Sequence, residues 1–128
     1  MSNIRNIRLS GEYRLRFSNR ICLKLVDKGY QMLFHIIHHH TEATCPAHND
    51  EVAGKTFGIV LDSLKENVNE VIGAWVDGPG HDFFVVVDAE STSQIFAGLF
   101  PIIPYGTAKI QPVDDYAVMM AKRQELNS

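Results

Sequence analysis

Hydrophobic positions along this chain change their period in a fixed order. Met32 to His40 is an apolar run of strand length whose two alternating faces read Phe34, Ile36, His38, His40 and Leu33, His35, Ile37, His39. Both faces stay apolar until the histidines, which predicts a strand covered on both sides with a polar site at its carboxyl end. From Ala53 the period lengthens: Ala53, Phe57, Val60, Leu61, Leu64 and Val68 share one helical face, predicting a single helix over 50–69 capped by Asn49 or Asp50. Gly54 and Gly58 weaken that helix and are expected to mark close packing against the sheet.

Val71 to Val76 reads as a second strand, Asp77-Gly78-Pro79-Gly80 as a turn, and His81 to Asp88 as a third strand. Ser91, Thr92 or Ser93 can cap a second helix that carries Ile95, Phe96, Leu99 and Phe100 and stops near Pro101. A fourth strand is expected over 107–113, and the tail from Asp114 is partly helical in pattern, with Tyr116, Met119 and Met120 as apolar contacts. The order strand, helix, strand, strand, helix, strand predicts an α+β fold of the ferredoxin-like βαββαβ kind, with both helices on one face of a four-stranded antiparallel sheet. The other face would stay apolar and bare, so a homodimer with sheets packed face to face is expected.

Composition narrows the function classes. The 128 residues suit one compact domain, expected over 31–128 with residues 1–30 as a peripheral basic extension. That extension has seven Lys and Arg against two acidic residues, while the remainder has five against thirteen. Its basic residues are scattered and the acidic body repels phosphate, so no nucleic-acid partner is expected. No apolar run reaches the length of a membrane span and no secretory signal opens the chain, so the expected location is cytoplasmic with no membrane partner. Cys22 and Cys45 are then expected to be free thiols.

The candidate chemistry concentrates after the first strand. Four histidines and Cys45 fall within the fourteen residues 32–45, and His48 follows. In the expected topology strand three runs antiparallel beside strand one, bringing His81 to His38, His39 and His40, with Tyr105 and Thr107 at the same end. His38 and His40 share a strand face and can converge on one ion, with Cys45, His48 or His81 completing the shell; these donors suit zinc, copper, nickel or iron. Without metal, His38, His40 or His81 could act as general base on a carbon acid, Glu42, Asp77 or Asp82 could orient it, and Tyr105 could donate to an oxyanion. His35 is read as a core histidine, and His39 as facing away from the site. The aromatic residues Phe34, Trp75, Phe83 and Phe84 are read as core or dimer filling. Gly78-Pro79-Gly80 belongs to a hairpin rather than a phosphate loop, so no nucleotide cofactor is expected.

Met32-Leu33-Phe34-His35, and Gly98-Leu99-Phe100-Pro101 with Tyr105, resemble the opening strand and the helix-to-strand passage of the dimeric α+β barrel superfamily, in particular proteins similar to muconolactone isomerase. The resemblance spans residues 31–113. It implies small cytoplasmic oligomers that hold a ligand between sheet and helices, among them isomerases, cofactor-free oxygenases and dehalogenating enzymes. The triple histidine and Cys45-Pro46-Ala47-His48 have no counterpart in the isomerase pattern. Three functions therefore stay open: an isomerase-like or oxygenase-like enzyme on a small molecule, a transition-metal-binding protein, and a non-catalytic stress-related or regulatory dimer.

Overall fold

The computed structural model describes residues 31–128. The extension expected over residues 1–30, with Cys22, lies outside the described residues. Four strands, β1 (Leu33–His39), β2 (Glu70–Asp77), β3 (Asp82–Asp88) and β4 (Thr107–Val113), form one antiparallel sheet in the order β2-β3-β1-β4. Helices α1 (Asp50–Lys55) and α2 (Val60–Asn67) join β1 to β2. Helix α3 (Thr92–Leu99) and a 3-10 turn (Phe100–Tyr105) join β3 to β4. Met32–Val113 forms one compact unit. Helix α4 (Tyr116–Leu126), capped by the Asp115 carboxylate accepting from the Ala117 and Val118 amides, falls outside it and buries none of its residues.

The alternation along β1 decides which side is core. Phe34, Ile36 and His38 are buried, whereas Leu33, His35 and Ile37 are only partly covered. Phe34 and Ile36 meet Val85 and Val87 of β3, Val60, Leu64 and Val68, and Ile95, Leu99 and Ile102 in a single apolar cluster. Within Met32–Val113 the helices thus cover one sheet face. On the opposite face, Ile37 stands beside Phe84, which stands beside Trp75, and His35 stacks on Phe84 at 6.4 Å between ring centroids. The Trp75 indole lies across Gly73, where an added Cβ would come within 2.6 Å of the ring. Gly73 leaves that aromatic ring room to lie down.

Three expectations change. The helix over 50–69 is two helices, because the Gly58 amide donates five residues back to the Ala53 carbonyl. That fold-back brings Gly58 onto the Gly54 backbone, where a Cβ would lie 2.8 Å from the Gly54 oxygen. Gly58 therefore serves the interruption and not the sheet, and Gly54 has no neighbour near its missing Cβ. Of the four apolar residues expected on the second helix, only Ile95 and Leu99 enter the core; Phe96 and Phe100 meet edge to face outside it, with centroids 6.0 Å apart. His81 is not the first residue of β3. The Asp77 carboxylate accepts from the Gly80 amide, the His81 amide donates to Gly78, and His81 closes the turn at φ 63°.

Candidate functional site

The sheet register brings the histidines together. His39 pairs with Asp82 across β1 and β3, so the next residues, His40 and His81, meet just beyond the strands, and the His40 amide donates to the His81 carbonyl. A non-glycine residue at positive φ is uncommon, histidine being among those that tolerate it, and the conformation costs on the order of 1 kcal/mol. At His81 it directs the ring onto His40: Nδ1 of His81 lies 3.2 Å from Nε2 of His40, with ring centroids 4.9 Å apart. Cys45, a half-buried free thiol on the loop after β1, completes a group of three. One ligating atom from each of His40, Cys45 and His81 lies within 4.8 Å of the others.

This group forms one wall of a cavity of about 410 Å³ between the sheet and the first two helices. The remaining walls are largely apolar, with Ala53, Phe57, Val60, Leu61, Val76 and Phe83. Such a size is in the range of small-molecule sites. Phe57 packs against the His40 ring at 5.2 Å between centroids and against the His38 ring at 5.7 Å.

His38 has a different environment. It is fully buried, and its Nε2–H donates to the Ile102 carbonyl at 3.1 Å. A carbonyl only accepts, so Nε2 carries the proton and Nδ1 is left as a buried, partnerless acceptor. Burial lowers the His38 pKa below its ordinary value of 6.5, opposed by the Ile102 bond and reinforced by His40 and His39. The His40 pKa is also lowered, by burial first and then by the nearby His81 and His39, with Asp82 opposing. Both shifts favour the neutral imidazole.

The other expected residues separate. His48 is exposed and outside the group. His39 is exposed, facing away as expected, with its Nδ1 2.7 Å from the Asp82 carboxylate. Tyr105 does not line the cavity; its carbonyl accepts from the Thr44 hydroxyl at 3.3 Å. Sequence reasoning missed Ala53, Phe57, Leu61, Val76 and Phe83 as cavity walls. Val76 and Phe83 share the sheet face of His38 through the strand pairing, a signal that required the register.

No family model matches the chain, and no curated protein matches it. Among the described residues, no helix is long and apolar enough to cross a membrane.

The lowered pKa values of His38 and His40 make the metal-free fold sensitive to acid. Folded-state pKa values below 6.5 mean that the unfolded chain binds more protons, so this contribution to stability is complete above pH 6.5 and is lost as pH falls toward the folded values. In the presence of a chelator, the urea midpoint should be level above pH 6.5 and decline below it, and His38→Gln should flatten part of the decline. An identical decline in that variant would show that His38 is not the group responsible.

Proposed function

We propose that this protein binds a small organic molecule in the cavity beside the histidines, and that His40, Cys45 and His81 hold a transition-metal ion at its polar wall. The observation that carries the reading is the convergence of two imidazoles and a thiol from three separate segments within 4.8 Å. Two nitrogens bound about 2.0–2.1 Å from a tetrahedral ion are about 3.3 Å apart. The His40 and His81 nitrogens are already 3.2 Å apart. Nitrogen and sulfur donors suit zinc, copper, nickel or iron rather than magnesium or calcium. Such an ion would supply Lewis acidity to a bound molecule. Elemental analysis of protein purified without an affinity tag tests this: near-stoichiometric metal supports it, and protein that stays metal-free after incubation with these ions refutes it.

A second reading follows from the same 3.2 Å contact. Without a metal, one imidazole of the pair donates to the other, which occupies the acceptor's lone pair and leaves the donor's second ring nitrogen as the base for a carbon acid in the cavity, as in an isomerase or a cofactor-free oxygenase. Activity that persists in chelator would favour it.

We further propose a ferredoxin-like fold assembled as a dimeric α+β barrel. The antiparallel order β2-β3-β1-β4 supports it, as does the face bearing Ile37, Phe84, Val86 and Trp75. Four strands about 4.8 Å apart and about 24 Å long offer roughly 500 Å² before side-chain relief, approaching the ~800 Å² per partner of a standard interface. Light scattering should give the mass of a dimer for the native chain and of a monomer for Trp75→Lys. A native monomer at micromolar concentration would sink this assembly.

A further inference from the structure

We propose that the ligand of this site is a compact apolar molecule of about two fused rings bearing one anionic donor, such as a carboxylate, that completes the metal's coordination. The inference rests on the metal reading given above and specifies the class of molecule.

Three features select that class. The first is donor number: His40, Cys45 and His81 supply three ligating atoms, and all three residues line the cavity. A tetrahedral ion with three protein ligands keeps its fourth position for water or a bound molecule, and here that position adjoins the cavity. The second is charge. Two neutral imidazoles and one thiolate would leave a divalent ion with a single positive charge of its own, which one anionic head neutralises, while the Asp77 and Asp82 carboxylates in the same wall weigh against a dianionic one.

The third is the shape and chemistry of the remaining space. Ala53, Phe57, Val60, Leu61, Val76 and Phe83 offer no side-chain hydrogen bond. Asp77 and Asp82 also line the cavity, but the Asp77 carboxylate accepts from the Gly80 amide at 3.0 Å and that of Asp82 is paired with His39 at 2.7 Å. Polar side chains are therefore confined to one end, and a second polar group on the ligand would find no side-chain partner along the apolar walls. A cavity of about 150 Å³ holds benzene; one of about 410 Å³ accepts a body about twice that size with its head group.

The test uses the full chain without a tag, loaded with Co2+, whose visible bands report its ligands and whose near-ultraviolet thiolate band reports Cys45. It is titrated separately with 2-naphthoate, naphthalene and acetate. The proposal expects 2-naphthoate to shift the visible bands and to bind at least tenfold more tightly than acetate, while naphthalene leaves the bands unmoved. Leu61→Ser, at a partly exposed wall position, should weaken 2-naphthoate about tenfold and leave acetate and the cobalt spectrum unchanged. Equal affinity for acetate and 2-naphthoate would overturn the apolar body, and binding without a spectral shift would overturn coordination by the head; in both cases the metal reading stands. Absence of the thiolate band on adding Co2+ would instead refute the metal reading, and this inference with it.

Discussion

The paired substitution His40→Gln and His81→Asn is expected to weaken zinc or cobalt binding by more than about a thousandfold while leaving the fold intact. Metal affinities of roughly 10–16 kcal/mol in four-ligand zinc sites correspond to about 3 kcal/mol per ligand, so removing two of three protein donors costs about 6 kcal/mol, well beyond a thousandfold. The replacements are chosen for the local backbone. His81 sits at φ 63°, a conformation asparagine adopts readily, so the turn and its Gly78 hydrogen bond should survive. Gln at position 40 retains a polar group where the ring is only partly buried. His48→Ala is the matched control, since His48 is exposed and outside the group. Calorimetric titration with zinc decides the matter: a double variant with native affinity would show that the ion, if any, is held elsewhere.

The second large effect is expected in the core. Leu64 is fully buried on α2 and faces α3 at Gly98, where an added Cβ would lie 2.6 Å from Leu64 Cδ2 and 2.9 Å from its Cα. Leu64→Ala should cost about 3–4 kcal/mol, because the backbones on either side already touch and cannot close over the cavity. That is a large fraction of a total stability of about 5–15 kcal/mol. Gly98→Ala should cost about 1–3 kcal/mol by overpacking. The two should be less than additive when combined, since truncating Leu64 removes the Cδ2 and Cγ atoms that the new methyl would meet, but not Cα. Urea midpoints of the four proteins in this cycle test it; strict additivity would mean that the two helices separate rather than hold their approach.

The fold was legible where its cause is local. The strand at Thr107–Val113 and the capping of α1 by Asn49 and α3 by Ser91 follow from short-range pattern, and the structure has them at those residues. The interruption between α1 and α2 was not, because Ala53, Phe57, Val60 and Leu64 keep helical spacing straight through it; the break is where the Gly58 amide donates five residues back to the Ala53 carbonyl. The site was legible in part for a related reason. Antiparallel pairing of strands one and three was enough to bring His81 to His40. The difference between His38 and His40 was not readable, since both occupy the same face of β1 and only the Ile102 carbonyl, 64 residues away, commits His38 to the core. Phe96 and Phe100 illustrate the same limit: their i, i+4 spacing is that of a buried face, yet Ile95 and Leu99 occupy it instead.

Trp75 is the chain's one tryptophan, 59% exposed and lying over Gly73 on the sheet face opposite the core. The protein thus carries a built-in fluorophore on that face. Its emission should report whatever covers those strands, shifting to the blue when water is excluded from the indole, while cobalt absorption reports the cavity on the other side. Two colours of light could then follow assembly and ligand capture separately, in one sample and without a label.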